Sequence, residues 1–417
     1  MSKSFFKNLI YNNTSQGLQF GSRWIFNLVL IALLNDYDFG IFTYGLALAN
    51  LLMAILPFGS PVYLINNINK ENKFKELADS LMVIMLFFLI IFLFYFAIRF
   101  LPITIKNYDI LFNSLILGLS LAINTVMYYF LKSTGNFIEE IKVSFLFFLL
   151  IIGFVFYFYY LGNKMISVAN LINSLILFNL LVFVYFMIFS KKIKIDVVLN
   201  NIDISILNIK KNIKKRWYFG LQEMMTAIYT QFGMFILFYF LSAERYGLYR
   251  KLFVLIAPIY LLSVSLSQVL LHHLKNNGNS NLLKEFRKYQ KITFIIATSV
   301  IVLIYFIRIP LIELLGKINY TNEINIAFSL VLFIAFIRFI YGNYEMFLVS
   351  IGKQNLRFWT VLIAAIVNII SIFVLVPTFN LIGAILTTLL SNLIVLISLS
   401  YLSEKNIKKN ENSHNNF

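Results

Sequence analysis

Long apolar runs, each about as long as a lipid bilayer is thick, recur along almost the whole chain. A membrane-spanning helix needs about 20 mostly apolar residues, because roughly 30 Å of hydrocarbon must be crossed. Twelve runs meet this length, and they are continuously apolar, whereas the strands of a membrane barrel would alternate. The pattern predicts an all-α polytopic membrane protein with twelve transmembrane helices. The runs cover residues 11–34, 41–65, 79–101, 109–131, 143–162, 165–190, 217–241, 249–274, 291–314, 324–350, 357–377 and 381–402.

Composition agrees with this pattern and excludes a soluble domain. The chain has 417 residues, of which 60% are hydrophobic and 13% charged, and its mean hydropathy is +0.82. A soluble domain carries about 25% charged residues, so this chain cannot cover a water-facing surface. It has no cysteine and only three histidines. We therefore expect no disulfide, no metal centre and no cofactor.

Basic residues predict the orientation of the helices. With both termini in the cytoplasm, 25 of the 35 lysines and arginines fall in cytoplasmic segments and 6 on the opposite side. Cytoplasmic loops of membrane proteins carry such an excess, so we expect both termini to be cytoplasmic. The net charge of +17 is spread over many short loops. It therefore indicates contact with anionic membrane lipids and no nucleic acid.

The only long connection, residues 191–216, divides the runs into six and six. It is rich in lysine, and we expect a basic cytoplasmic linker. On this division, residues 1–190 form an N-terminal six-helix lobe and residues 217–403 a C-terminal one, followed by a cytoplasmic tail at 404–417. Six helices per lobe make both copies point the same way through the bilayer, so we expect two pseudo-symmetric lobes around a central cavity.

Short segments recur in the two halves at equivalent loops. Leu34-Asn-Asp-Tyr-Asp-Phe-Gly40-Ile-Phe42 matches Leu241-Ser-Ala-Glu-Arg-Tyr-Gly247-Leu-Tyr249 with a shift of 207 positions. Phe130-Leu-Lys-Ser-Thr-Gly135 matches Phe347-Leu-Val-Ser-Ile-Gly352 with a shift of 217. We interpret these matches as an internal repeat. Chance similarity in a chain rich in Phe, Leu and Ile is the alternative.

Polar side chains interrupt the first run of each half. In the first run they follow a helical spacing on one side, with Arg23 near the bilayer midplane. In the seventh run Glu223 stands at the position equivalent to Gln16. Polar groups inside a membrane usually face a cavity or a partner. Hydrogen bonds to neighbouring helices are the alternative, and we favour them for threonines. The expected polar cavity lining is Gln16, Gln19, Asn27, Thr226 and Thr230.

Ionisable groups within the runs are candidates for substrate binding and ion coupling. An arginine forms bidentate hydrogen bonds with phosphate and stays charged at any working pH. Arg23 and Arg338 would therefore suit an anionic solute better than a cationic drug. Glu223 is the candidate for coupling to a proton or another cation. Glu345, on the same face as Arg338, is a second candidate, and an ion pair between those two residues is the alternative.

Several motifs resemble those of a known transporter family. The segment Val376-Pro-Thr-Phe-Asn-Leu-Ile-Gly383-Ala384-Ile-Leu-Thr387 resembles the Pro-x-aromatic-Gly-x-x-Gly-Ala segment that joins the last two helices of polysaccharide flippases. Phe39-Gly40, the segment 310–316 and the turn at Gly352 fit the same group. Over about residues 5–403 the chain is similar to Wzx-type O-antigen transporters of the multidrug/oligosaccharidyl-lipid/polysaccharide exporter superfamily. Asn380 stands where the family usually has glycine, and asparagine also tolerates a left-handed backbone.

The resemblance implies a transporter and no enzyme. Its implied activity is the flipping of an undecaprenyl-pyrophosphate-linked oligosaccharide, the O-antigen repeat unit of lipopolysaccharide biosynthesis, across the bacterial inner membrane by alternating access. Related flippases hold cavity arginines on their first and eighth helices, which points here to Arg23 and Arg250. For Arg250 and Lys251, interface anchors that extend to the lipid headgroups are the alternative. The implied partners are the lipid-linked oligosaccharide, membrane lipids, a coupling proton or sodium ion, and polymerase and chain-length proteins of the same pathway.

Three other functions fit parts of the pattern. A membrane enzyme, such as a polysaccharide polymerase or a lipid-sugar transferase, usually places catalytic residues on a sizeable extramembrane loop. The longest loop here has no paired-carboxylate or nucleophile motif, so we disfavour an enzyme. A multidrug antiporter of the same fold is disfavoured by the cationic interior. A flippase of another lipid-linked precursor, for capsule, teichoic acid or peptidoglycan, carries the same phosphate chemistry and stays open.

Overall fold

The structure, a computed structural model, describes residues 3–67, 72–99, 108–161, 167–188, 195–276 and 282–414, and every regular element in these ranges is helical. Two π-helical segments, Ile228–Phe232 and Leu311–Leu315, follow α9 and α14. The helices are α1 (Lys3–Leu33), α2 (Asp36–Ile55), α3 (Ser60–Asn67), α4 (Lys73–Arg99), α5 (Tyr108–Ser133), α6 (Phe137–Leu161), α7 (Val168–Ile188), α8 (Ile195–Asn200), α9 (Ile206–Ala227), α10 (Gly233–Phe240), α11 (Ala243–Leu255), α12 (Ala257–Asn276), α13 (Leu282–Phe306), α14 (Arg308–Pro310), α15 (Asn322–Ser350) and α16 (Gln354–His414).

Where the structure describes them, the twelve predicted runs are mainly helical. Among the described residues, eight helical segments are long and apolar enough to cross a membrane. The pair α11 and α12, bent by 46°, meets the same criterion when taken together. One of the eight, Asn355–Asn406, is 52 residues long and covers the last two runs. The two remaining runs, which carry the polar positions described above, are occupied by α1 and by α9 with α10.

The long helix α16 is a hairpin of two helices joined at Asn380. This residue has φ 47° and ψ −121°, which is not helical. The side-chain amide of Asn368 donates a hydrogen bond to the carbonyl oxygen of Thr387 at 3.2 Å, 19 residues further along. In one straight helix those residues would lie about 28 Å apart, so the chain must reverse. The predicted turn at Asn380 is therefore confirmed.

The helices form two compact units. The first comprises Met1–Leu33 and Ile41–Phe235, and the second comprises Leu34–Gly40 and Ile236–Phe417. In the first unit α1 packs on α6, and α5 packs on α7; in the second, α15 packs on α12, α13 and α16. The lobe boundaries drawn from the sequence stay a prediction. Residues 191–194 of the expected linker and 415–417 of the expected tail lie outside the described residues.

The repeated segments around Gly40 and Gly247 contact each other within the second unit. A Cβ atom added to Gly40 would lie 2.0 Å from the carbonyl oxygen of Ala243. A Cβ atom added to Gly247 would lie 2.0 Å from the carbonyl oxygen of Asp36. Ala243 and Asp36 are themselves related by the shift of 207 positions. The contact is therefore reciprocal, which supports an internal repeat over chance similarity.

Candidate functional site

A polar cavity lies inside the first unit, between α1, α5, α6 and α7. Its volume is about 70 Å³. Because a buried water needs roughly 10–15 Å³ of such volume, the cavity has room for about five waters or one small polar group. The lining residues are Gln19 and Arg23 of α1, Leu121, Asn124, Thr125, Tyr128, Tyr129 and Lys132 of α5, Phe147 of α6, and Asn179 and Val182 of α7.

Arg23 brings a permanent positive charge to this cavity. It stands among the apolar residues of α1, next to Tyr128 of α5. Its side chain is exposed, so the cavity is open at this arginine. Among the described residues no carboxylate forms an ion pair with it. The guanidinium is therefore placed to receive an anionic solute.

Lys132 is the second cation of the cavity wall, and it is paired with Glu140 of α6. The lysine Nζ lies 3.3 Å from Oε1 of Glu140, whose side chain is fully buried. The hydroxyl of Ser15 donates a hydrogen bond to the same oxygen at 2.8 Å. Oε2 of Glu140 has no hydrogen-bond partner among the described residues. One oxygen of the Glu140 carboxylate is thus without a hydrogen bond, and the lysine that pairs with the other oxygen also lines the cavity.

A chain of hydroxyl and amide groups connects this ion pair with Gln19. The Gln19 amide donates a hydrogen bond to Oγ of Ser144 at 2.9 Å. Ser144 in turn lies 2.8 Å from the hydroxyl of Ser15, and Tyr128 also hydrogen-bonds Ser144. The network therefore runs without a break from the ion pair to the cavity wall, across α1, α5 and α6.

The sequence interpretation missed Lys132 and Glu140. Lys132 directly follows the fourth apolar run, and Glu140 shortly precedes the fifth, so both resembled ordinary loop charges. The signal that distinguishes them lies in their neighbours. Glu139 forms an ion pair at 2.9 Å with Lys142, whose side chain is 55% exposed. The side chain of Glu140, the next residue of the helix, is 0% exposed and is paired with Lys132.

Other residues expected to line a cavity are placed differently. Gln16 is half-buried on α1 and does not line this cavity. The Asn27 amide donates a hydrogen bond to the carbonyl oxygen of Arg23 at 2.8 Å. Thr226 and Thr230 donate to carbonyl oxygens of their own helical turn at 3.0 and 2.9 Å. The two threonine hydroxyls are therefore hydrogen-bonded within their own helix. A cavity-lining role for Gln16, Asn27, Thr226 and Thr230 stays a prediction.

Glu223 contacts the break between α2 and α3. Its carboxylate accepts a hydrogen bond from the backbone N–H of Gly59 at 3.1 Å. Gly59 has φ 72°, and a Cβ atom there would lie 2.3 Å from the backbone nitrogen of Gly220. The carboxylate thus holds a broken helix end against α9. This contact gives Glu223 a structural role beside its predicted coupling role.

The remaining predicted residues lie in the second unit. The guanidinium of Arg338 lies 4.7 Å from the ring centre of Tyr260. Glu345 is paired with Arg357 at 2.5 Å. Arg250 is half-buried on α11. None of these residues lines the cavity of the first unit, and their roles stay predictions.

Comparison with known proteins identifies the family. The family model of the polysaccharide biosynthesis protein matches residues 5–271, which is well over half of the chain. No curated protein sequence matches the chain.

Solved structures of transporters share the fold. An inward-facing multidrug resistance MATE family transporter of the MOP superfamily has a TM-score of 0.72 at 14% identity, covering 97% of this chain and 99% of that one. The lipid II flippase MurJ, inward closed, has a TM-score of 0.73 at 15% identity, covering 96% and 87%. A MOP superfamily transporter from Pyrococcus furiosus, described by the reverse polarity of its binding pocket, has a TM-score of 0.62 at 14% identity, covering 98% and 96%. The predicted fold of a helical membrane transporter is confirmed.

Proposed function

Because this chain belongs to the polysaccharide biosynthesis protein family, we propose that it is a flippase for a lipid-linked oligosaccharide. The proposed substrate is an undecaprenyl-pyrophosphate-linked repeat unit of an O-antigen. It is moved from the cytoplasmic to the periplasmic leaflet of the bacterial inner membrane by alternating access. The similar fold of a protein described as a lipid II flippase supports a lipid-linked substrate.

The observation that carries this proposal is Arg23 in a polar cavity within an apolar helical bundle. An arginine inside a membrane is costly, and such residues mark substrate or ion pathways. Phosphate is the group that a guanidinium binds best, through paired hydrogen bonds. In this proposal the pyrophosphate contacts Arg23, while the polyprenyl tail stays in lipid. We propose Arg250 and Arg338 as further contacts for the anionic part of the substrate.

The test is glycan export in cells. Deletion of the chain should remove the surface glycan and leave the lipid-linked oligosaccharide on the cytoplasmic leaflet. An Arg23→Ala variant should fail to restore the glycan at unchanged protein level, whereas Lys142→Ala, which removes an exposed cation, should restore it. A normal surface glycan in the deletion strain would contradict the proposed function. A normal glycan with Arg23→Ala would remove this arginine from the mechanism.

A flippase of another lipid-linked precursor is an alternative with the same anionic chemistry. Precursors of capsule, teichoic acid and peptidoglycan also carry a phosphate or pyrophosphate, so the arginine does not separate them. Purified protein in liposomes should flip the fluorescent repeat unit of its own glycan faster than fluorescent lipid II. Equal rates for the two would favour a general lipid-pyrophosphate flippase.

A multidrug antiporter is a second alternative, supported by the fold shared with MATE transporters. Cationic drugs would meet two cations on the cavity wall, Arg23 and Lys132, and like charges repel strongly where water is excluded. Overproduction of the chain should therefore leave the minimal inhibitory concentrations of cationic dyes unchanged. A several-fold rise in resistance would favour the antiporter.

A further inference from the structure

We infer that the cavity of the first unit binds a single phosphoryl oxyanion between Arg23 and Lys132, in exchange for the internal carboxylate of Glu140. The inference rests on the proposed function only for the source of the phosphoryl group, which is either a lipid phosphate or free phosphate. The binding chemistry is the same for both sources.

Among the described residues, those that line the cavity include two cations and no carboxylate. Arg23 and Lys132 line the wall, and Glu140 neutralises only one of them. The neighbouring carboxylate, Glu139, is turned towards Lys142 at 2.9 Å. In a medium from which water is largely excluded, an uncompensated cation attracts an anion strongly. Arg23 is therefore the cation of this wall that has no ion-pair partner among the described residues.

The size and chemistry of the cavity select a small oxyanion. Guanidinium and ammonium groups only donate hydrogen bonds. The side-chain N–H group of Asn124 on the same wall is already bonded to Asn179, at 2.9 and 3.0 Å, while its Oδ1 has no partner among the described residues and can accept from a water or a phosphoryl O–H. About 70 Å³ is far below the roughly 300 Å³ of sites that enclose drug-sized ligands. The cavity therefore takes one phosphoryl group and its waters, and no sugar.

The ion pair of Lys132 and Glu140 gives the site an exchange step. A phosphoryl oxygen that binds Lys132 takes the place of Oε1 of Glu140. The carboxylate then stays buried without its cation, while its other oxygen already lacks a partner. A buried carboxylate without a cation binds a proton. A dianionic phosphoryl group and one proton thus enter together, and the one net negative charge that they add compensates Arg23.

The groups around Glu140 are consistent with this step. On α5 they are Lys132, Tyr128 and Tyr129, and Arg23 lies beside Tyr128 on α1. The carboxylate oxygens of Glu139, on the same helix, are held by Lys142, with Tyr185 of α7 nearby, and Glu223 of α9 lies near Tyr129. Among the described residues, Lys132 is therefore the cation in direct contact with the carboxylate of Glu140. When an anion binds Lys132, the carboxylate loses this contact, and a bound proton neutralises it instead.

Isothermal titration calorimetry on the full-length protein in lipid nanodiscs tests the inference. The probes are inorganic phosphate and a short-chain polyprenyl phosphate, each titrated in two buffers of different ionisation enthalpy. Wild-type protein should bind at least one probe and take up about one proton per anion. Arg23→Met and Lys132→Met should each weaken binding on the order of tenfold or more.

The paired carboxylates of α6 supply matched variants. Glu140→Gln should bind the anion at least as tightly as wild type but without proton uptake, because the amide neither competes for Lys132 nor titrates. Glu139→Gln should keep both the affinity for the anion and the proton uptake of the wild type. The double variant Lys132→Met with Glu140→Gln, which removes both charges of this ion pair together, should lose anion binding and proton uptake. It replaces the single variant Lys132→Met if that variant does not fold.

The outcomes separate the possible sources and failures. Binding of both probes shows that free phosphate suffices, and binding of the lipid probe alone assigns the site to a lipid phosphate. No binding of either probe, or proton uptake that survives Glu140→Gln, overturns the inference. Intact glycan export without phosphate binding would overturn this inference alone. Phosphate binding without any export by wild type would instead overturn the proposed function.

Discussion

Lys251 of α11 is buried and forms an ion pair with Asp36 at the start of α2. Its side chain is 2% exposed, and Nζ lies 2.6 Å from Oδ1 of the aspartate. The ammonium also lies 5.8 Å from the ring centre of Phe39. The sequence offered an interface anchor as one interpretation of this lysine. A buried, paired ammonium does not extend to lipid headgroups, so that interpretation is wrong for Lys251.

Breaking this pair should cost far more than breaking an exposed pair of equal length. Asp36→Asn leaves a buried ammonium without its partner, and we expect a loss of about 3–5 kcal/mol. Adding Lys251→Met should recover part of that loss. Arg245→Met, which removes a 2.6 Å pair with Glu323 on the exposed side of the same helix, should cost less than about 1 kcal/mol. Thermal unfolding in detergent, followed by tryptophan fluorescence, measures all three variants, and equal losses for both pairs would contradict the prediction.

Alanine at Gly40 or Gly247 should destabilise the protein to a similar extent. In each case the new methyl group would meet a backbone carbonyl oxygen at 2.0 Å, so the helices must move apart. We expect a loss of about 2 kcal/mol or more. Gly153→Ala, in a helix with no atom within 4 Å of the added methyl, is the control and should be neutral or stabilising. A large effect at one glycine only would argue against the reciprocal contact.

Arg216 and Lys215 contact the same carboxylate, but only one of them should matter for stability. Arg216 is 0% exposed and lies 3.1 Å from Oε2 of Glu76, whereas Lys215 is 38% exposed and lies 3.3 Å from Oε1. The arginine also lies 4.6 Å from the ring centre of Tyr63. Arg216→Met should lower the free energy of unfolding by several kcal/mol, about 3 or more, and Lys215→Met by less than about 1 kcal/mol. Urea unfolding of the two variants in mild detergent compares them directly, and similar losses would contradict the assignment.

Glycine at position 380 should stabilise the protein. Asn380 has φ 47° and ψ −121°, a conformation that glycine adopts without a steric penalty. We expect Asn380→Gly to raise the free energy of unfolding by up to about 1 kcal/mol. Thr378→Gly, two residues earlier in helix, should lower it by about 1 kcal/mol. A melting temperature that falls for both variants would show that the asparagine side chain contributes more than its backbone strain costs.

Glutamine at position 223 should separate the structural and coupling roles of Glu223. The glutamine carbonyl can still accept the hydrogen bond from Gly59, so stability should be unchanged, whereas Glu223→Ala should cost about 1–3 kcal/mol. If the carboxylate couples transport to an ion, Glu223→Gln should respond less to an imposed proton or sodium gradient in proteoliposomes. An unaltered response at unchanged stability would leave Glu223 with its structural role alone.

The helices were predictable because long apolar runs have few alternatives in a membrane. The polar stripe of α1 contains Gln19 and Arg23, which line the cavity of the first unit, and their part in transport stays a prediction. The partners of these residues were not predictable. Lys132, Glu140 and Arg216 stand at the ends of apolar runs, where hydropathy does not distinguish a buried charge from a loop charge. Which carboxylate faces inwards depends on the packing of helices far apart in sequence, and no single-chain periodicity contains that information.

The reciprocal glycine contact has a consequence for the origin of the chain. Each of the two segments presents a glycine and a carbonyl group, and each receives the same pair from the other. Two identical molecules related by a twofold axis would form this junction in the same way. If the chain arose by fusion of two gene copies, the half-length chain would already have carried this self-complementary segment, and two copies of it could have met at the same glycines before the fusion.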